Sequence, residues 1–283
     1  MMEKNIKLSK KQHQALKYLN DYETTELFYG GGAGGGKSFL GCLWIISWCL
    51  TYPNTRYLIG RAHLKTLRES TLLTFFKVLK EEFGLKAGED YKYSMMESKV
   101  TFLRTNSEVY LKDLFLYPSD PEFDSLGSTE YTAAFIDEVS EITEKSKNIV
   151  MSRLRYKLDE YNLLPKLLMA SNPAKNFAYR EYWKAWKEGT LAPYRKFVPA
   201  LAGDNPYISD FYQQNLKKLD KNSMQRLLFG NWDYDDDPSR LFDYDKINEI
   251  WSIKLPASLS PQEKYISADV ARFGSDKSVV IIW

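Results

Sequence analysis

Eight consecutive residues, Gly31-Gly32-Ala33-Gly34-Gly35-Gly36-Lys37-Ser38, carry the spacing G-x-x-x-x-G-K-[ST]. That spacing suits a polyphosphate. Glycines let the backbone curl around an anion with its N–H groups inward, and a helix starting there adds the positive end of its dipole. Lys37 would reach the β- and γ-phosphates, and the Ser38 hydroxyl would sit on Mg²⁺. A second stretch, Thr132-Ala133-Ala134-Phe135-Ile136-Asp137-Glu138, is a small and apolar run ending in paired carboxylates. Asp137 would hold the water shell of the metal, and Glu138 would orient and deprotonate a water attacking the γ-phosphate. A third, Lys166-Leu167-Leu168-Met169-Ala170-Ser171-Asn172-Pro173, delivers Ser171 and Asn172 to the end of an apolar run stopped by proline. Asn172 would sense the γ-phosphate or hold the attacking water. Alone, an Asn-Pro pair is a plain turn and two acids ending a strand are solvated; the loop at 31–38 gives both a function.

Each of these stretches needs an element to place it. Leu27-Phe28-Tyr29 reads as a buried strand before the loop, and Phe39-Leu40-Gly41-Cys42-Leu43-Trp44-Ile45-Ile46 as a buried helix after it. Upstream, residues 9–20 predict an amphipathic helix with Ser9 as N-cap. Gln12 or Gln14 on that helix has an amide able to read an adenine edge, or merely a place on a solvated face. Arg56-Tyr57-Leu58-Ile59-Gly60 predicts a second strand, followed by one helix from about Leu64 to Phe83 with Leu67, Thr71, Phe75 and Leu79 in register. Arg61 and Arg68 fall past that strand's carboxyl end, where open α/β sheets line their ligand crevice. Val100–Leu103 and Val109–Leu111 predict a hairpin or edge strands. Arg153 and Arg155 follow the paired carboxylates, and residues 178–230 read as mostly helical with a strand near Arg195–Val198. Asp233–Pro238 reads as an acidic linker, and Lys264–Trp283 as a strand, a turn and a second strand, with Asp269 near the end of the first.

Composition narrows the class. The 283 residues suffice for one large α/β domain, or one and part of another, and 44% hydrophobic with 27% charged residues is ordinary for a globular chain. A net charge of +2 means that any DNA-binding surface must be a local patch. The two cysteines, Cys42 and Cys49, are too far apart along one helix to bridge and read as reduced core residues. No signal pattern and no apolar run of membrane-spanning length is present.

Taken in this order, the parts resemble the large terminase subunit of tailed bacteriophages, the motor that packages DNA. The likeness runs from the Gln12/Gln14 region through the loop at 31–38, Arg61 with Leu67-Arg68-Glu69-Ser70, Asp137-Glu138, Arg153-Leu154-Arg155 and Ser171-Asn172-Pro173. Asp204-Asn205-Pro206, Leu228-Phe229-Gly230-Asn231-Trp232 and the Asp269 hairpin complete it. The resemblance implies an α/β P-loop core of the additional-strand, catalytic-glutamate type over 1–203, a small helical lid and linker over 204–240, and over 241–283 the first strands of a ribonuclease-H-like nuclease. It implies ATP and Mg²⁺ as cofactors, held by residues 31–38 with Phe39 and by Gln12 or Gln14 at adenine. Lys37, Glu138, Asn172 and Arg61 would carry catalysis, with Asn172 coupling hydrolysis to movement. Asp269 would be the first metal-binding acid of a nuclease that lacks its other carboxylates here, so this chain is expected not to cut DNA by itself. Implied partners are double-stranded DNA, the portal protein, the small terminase subunit and further copies in a ring, expected to be a pentamer, in the host cytoplasm and transiently at the procapsid portal, with no membrane. Several relatives carry an arginine in the loop before the paired carboxylates; Asp124–Thr129 has none here, leaving Arg61, Arg153 or Arg155. A helicase-like ATPase, and a fragment acting mainly in portal and DNA assembly, are the competing readings; the Asp269 hairpin speaks against the helicase.

Overall fold

The computed structural model describes residues 6–120, 122–126, 129–234, 266–269 and 279–282. Ser9 caps α1 (Lys10–Leu19), which leads to β1 (Glu26–Gly30), the phosphate loop and α2 (Lys37–Thr51). β2 (Arg56–Arg61) is followed by α3 (Leu64–Glu69), α4 (Thr71–Glu81) and three strands, β3 (Tyr91–Ser94), β4 (Lys99–Phe102) and β5 (Glu108–Asp113). Next come β6 (Ala133–Asp137), α5 (Glu144–Ser152), α6 (Leu158–Tyr161) and β7 (Lys166–Ser171). A π-helical turn (Tyr179–Lys184) runs into α7 (Ala185–Lys187), ahead of β8 (Arg195–Pro199), α8 (Asp210–Leu216) and α9 (Lys221–Leu227).

The strands form one sheet in the order β3-β4-β5-β2-β6-β7-β1-β8. From β5 to β8 every neighbour is parallel, and β4 and β3 add an antiparallel edge, as the alternating runs near residues 100 and 110 predict. Every residue of β1, β6 and β7 is buried. Helices cover both faces of a parallel sheet, so its inner strands read as unbroken apolar runs. Leu43, Trp44, Phe75 and Leu79 pack on one face; Phe28, Ile136, Met169 and Tyr182 fill the other. Burial of such a side chain stabilises by about 1.5–3 kcal/mol. Cys42 and Cys49 are buried free thiols. The register pairs Gly30 with Ser171, Ala170 with Asp137, and Ile136 with Gly60. The segments that leave β1, β7, β6 and β2 therefore start side by side on one edge.

The helix expected over 64–83 is two. It breaks at Ser70 (φ −132, ψ −74) because polar side chains there have better partners than the helix ladder. Ser70 Oγ donates to Thr66 O and accepts from Arg61, and Thr71 Oγ1 donates to Asp137. Lys166, in an otherwise apolar strand, is also buried; its ammonium meets the carbonyls of Tyr18 and Asp21 and the Asp21 carboxylate, tying the turn after α1 to β7.

By its contacts the chain forms two compact units, Met1–Tyr234 and Asp235–Trp283. In the second, β9 (Ile266–Asp269) pairs antiparallel with β10 (Val279–Ile282), Asp269 opposite Val279. The expected acidic linker from residue 235 onward lies outside the described residues. Among the described residues no helix is long and apolar enough to cross a membrane.

Candidate active site

Gly36 (φ 73) closes the phosphate loop and opens α2, whose first residue is Lys37. Lys37 is 8% exposed, and its ammonium donates to Gly32 O at 2.7 Å, Gly31 O at 3.4 Å and Asn172 Oδ1 at 2.9 Å. All three acceptors are neutral. Burial draws the Lys37 pKa down, against the pull of Glu138 and Asp137, which favour its charge. A phosphate at the loop would supply the charge partner that these carbonyls do not.

Asp137 ends β6 in the core, 3% exposed. Its carboxylate accepts from Thr71 Oγ1 at 2.7 Å and from the Glu138 amide at 3.2 Å. Glu138 sits in the left-handed region (φ 49, ψ 54), a conformation that costs a non-glycine residue about 1–3 kcal/mol and recurs at active sites. It turns the chain sharply as it leaves the strand. Burial raises the Glu138 pKa, and Asp137 raises it further, against Lys37 and Arg61. A carboxylate lifted in this way is a better base for a water.

Arg61 stands one strand over, but its guanidinium is occupied. Nε and Nη2 form a fork onto Glu141, at 3.0 and 2.9 Å, and Nη1 donates to Ser70 Oγ at 2.7 Å. The hydrogen bond to Glu141 is the main cause raising its pKa. Gln12 and Gln14 separate cleanly. Gln12 is buried: its Oε1 accepts from the Ser9 amide in a capping box, and its Nε2 donates to Gly36 O at 3.2 Å. It thus braces the phosphate loop and lines a cavity of about 900 Å³ with Phe39, Val78, Asn205 and Tyr207. Gln14 is exposed and, among the described residues, reaches Tyr18 on its own helix.

Other expected residues fall elsewhere. Arg153 and Arg155 lie at the amino end of β6, where the Tyr131 amide donates to Arg153 O and Arg155 pairs with Glu130 at 2.7 Å. The length of β6 separates them from Asp137. Arg68 holds the β3–β4 turn through Met95 O and Ser98 Oγ. Ser38 lies in the first turn of α2, and its hydroxyl with the Asp137 carboxylate is an oxygen donor set that fits Mg²⁺, which takes few protein ligands and keeps several waters. The Asp269 side chain lies outside the described residues, as do Gly127 and Ser128 of the arginine-free loop.

Four contacts had no sequence signal singling them out: Thr71 on Asp137, Glu141 on Arg61, Asn205 on the phosphate loop, and Arg226 on Pro173. Each joins residues far apart in the chain. Gln12 is different, because Ser9-x-x-Gln12 is itself a capping-box pattern and assigns the Gln12 side chain to the start of its own helix.

A family profile described as "Terminase large subunit, T4likevirus-type, N-terminal" matches residues 28–249. No curated protein matches the chain in sequence. Among solved structures, the large terminase of a thermophilic bacteriophage is similar over 98% of this chain and 65% of its own, with 18% identity and a TM-score of 0.65. The same terminase in complex with ADP aligns over the same shares with 19% identity and a TM-score of 0.64. The large terminase ATPase domain of Thermus phage P74-26 aligns over 79% of this chain and 93% of its own, with 13% identity and a TM-score of 0.56. At these identities the structures support the fold, and this chain spans 65% of the length of the first of these terminases.

Proposed function

This chain belongs to the terminase large-subunit family, and from that premise we propose that residues 6–234 bind ATP and hydrolyse it to drive DNA packaging. One observation carries the reading: Lys37, Asn172, Asp137 and Glu138 converge on one phosphate loop from three adjacent strand ends. Phosphoryl transfer requires positioning and charge rather than covalent chemistry, and that is what these residues offer. Lys37 would exchange carbonyl partners for phosphate oxygens and neutralise the charge that develops on them. Glu138 would take a proton from the attacking water, and Asn172, released by Lys37, would hold that water or the γ-phosphate. Mg²⁺, when bound, would supply further neutralisation of phosphate charge, with Ser38 and Asp137 as its protein oxygens. The cavity beside Gln12 is the proposed seat of the nucleoside, and Gln12 acts chiefly by bracing Gly36. The complexes of the thermophilic bacteriophage's large terminase with ADP and with ATPγS support this assignment.

Double-stranded DNA, the portal protein, the small subunit and a ring of further copies, a pentamer by resemblance, are the proposed partners, in the host cytoplasm and at the procapsid. For the second unit we propose the opening strands of a ribonuclease-H-like nuclease with Asp269 as a metal-binding acid.

The test is steady-state ATP hydrolysis by the purified chain, with and without double-stranded DNA, beside Glu138→Ala. Loss of turnover in the variant, with nucleotide binding intact, is expected. Undiminished turnover in Glu138→Ala would overturn the assignment of the base.

A further inference from the structure

Between β8 and Trp232 the chain makes an excursion through α8 and α9 that lies on the phosphate loop. The Ala33 amide donates to Leu227 O at 2.7 Å, and Asn205 Nδ2 donates to Gly34 O at 2.9 Å. These contacts account for glycines that the phosphate-loop spacing leaves optional. A Cβ at position 32 would stand 2.5 Å from Leu227 O, and one at position 34 (φ 83) would stand 2.5 Å from Ile208 Cδ1. The loop is shaped to its cover as well as to an anion.

Beside Leu227, Arg226 reaches across to the third catalytic segment: its Nε donates to Pro173 O at 2.7 Å. Pro173 follows Asn172, which accepts from Lys37, and Lys37 also donates to Gly32 O. The contacts thus close a circuit through Lys37, Asn172, Pro173, Arg226, Leu227 and Ala33. Arg226 brings to it a delocalised cation with five donors, of which the carbonyl takes one. No carboxylate among the described residues pairs with it. Arg61, by contrast, is locked to Glu141, and Arg153 and Arg155 belong to the opposite edge of the sheet.

We propose that Arg226 is a catalytic arginine of the site, carried in cis by the helical cover, and that it contacts the γ-phosphate of a nucleoside triphosphate. Its role rests on the ATPase reading given above. Nε stays anchored on Pro173 O while the terminal nitrogens serve the phosphate, so the cover is held closed by a triphosphate and less firmly by a diphosphate. Arginines that contact the γ-phosphate are worth about 10³–10⁵ in turnover in other phosphate-loop enzymes.

The experiment compares wild type with Arg226→Ala and Arg226→Lys by turnover, by binding of ATPγS and ADP, and by thermal melting. In Arg226→Ala, kcat is expected to fall by about 10²-fold or more, with ATPγS affinity weakened and ADP affinity kept. Arg226→Lys, which retains the charge, should regain part of the preference for ATPγS. Mixing Arg226→Ala with Glu138→Ala should restore nothing, because a residue acting in cis cannot be lent to a neighbour. Turnover within about 2-fold of wild type in Arg226→Ala would overturn the proposal, as would equal loss of ATPγS and ADP accompanied by a lower melting temperature. Restored activity in the mixture would overturn its cis character. If wild type itself binds no ATPγS, the ATPase reading fails, an outcome distinct from all of these.

Discussion

Buried charges occupy both edges of the sheet, and the two edges treat them in opposite ways. At the amino edge, Glu26 opens β1, accepts a hydrogen bond from the Tyr182 hydroxyl, and is ion-paired with Arg195 at 3.1 Å and, more distantly, with Lys147 at 3.6 Å. Glu181 joins the same group through Arg195 at 3.0 Å and Lys147 at 3.6 Å. Every ion there meets an opposite ion supplied by the chain. At the carboxyl edge, Lys37 leans on two carbonyls and an amide, while Asp137 and Glu138 lie next to each other. The electrostatics follow: Lys37 is drawn down and Glu138 pushed up. Ions that only hold the fold are paired internally, and Lys37, proposed above to meet a nucleotide, is left to neutral stand-ins.

The contrast can be broken first at Lys37. Lys37→Ala should reduce turnover by about 10³-fold or more, since it removes the cation proposed to neutralise the phosphates. Its melting temperature should stay near that of wild type, because the acceptors it leaves are carbonyls and an amide; a large fall in stability would place Lys37 with the structural ions instead. The converse change is Lys147→Met at the amino edge. Removing one partner of a buried ionic group costs about 3–5 kcal/mol, here in folding free energy, with turnover per folded molecule retained. Denaturant unfolding and active-site titration with ATPγS separate the two quantities. Thr71→Val, which deletes the donor to Asp137 and preserves shape, should lower turnover by about 10-fold, of the order expected for a hydrogen bond to a charged group. Thr71→Ser should restore it.

The smallest effect is one of pH. Because Glu138 has a folded-state pKa above its unfolded one, the folded chain favours its protonated form. Its contribution to stability is therefore fully present below the unfolded carboxylate pKa and is lost as pH rises through the higher folded value. Glu138→Gln should melt a few degrees above wild type at neutral pH, with the difference vanishing as pH falls below the ordinary glutamate range. A difference that grows on acidification would contradict the burial argument.

How much of this is legible in the sequence depends on how far apart the interacting residues are. The phosphate loop, the strand ending in Asp137 and the segment ending in Asn172 are local patterns, and spacing alone brings them to light. The break at Ser70 is hidden, since Leu67, Thr71, Phe75 and Leu79 continue one helical register straight through it. Only the partners on β2 and β6, Arg61 and Asp137, explain why the polar pair departs from the helix. Arg226 and Pro173 are 53 residues apart, and no periodicity connects them. Gln12 falls in between: the spacing Ser9-x-x-Gln12 assigns its side chain to the start of α1, whereas its bond to Gly36 is visible only in the fold.

The π-helical turn at Tyr179–Lys184 has a consequence for which changes of length the chain tolerates. Such a turn holds one residue more than an α-helical one, and here it seats Tyr182 against Glu26 and Tyr179 against Trp183 in a single pass. Deleting a residue within it would restore regular α-helix and re-aim the side chains of the turn itself. Tyr182 could then no longer cap Glu26. Insertions and deletions are therefore tolerable in the exposed connection around Gly84 and Gly88, where an added side chain meets nothing, and are barred from 179–184 by the chemistry of a strand end on another element.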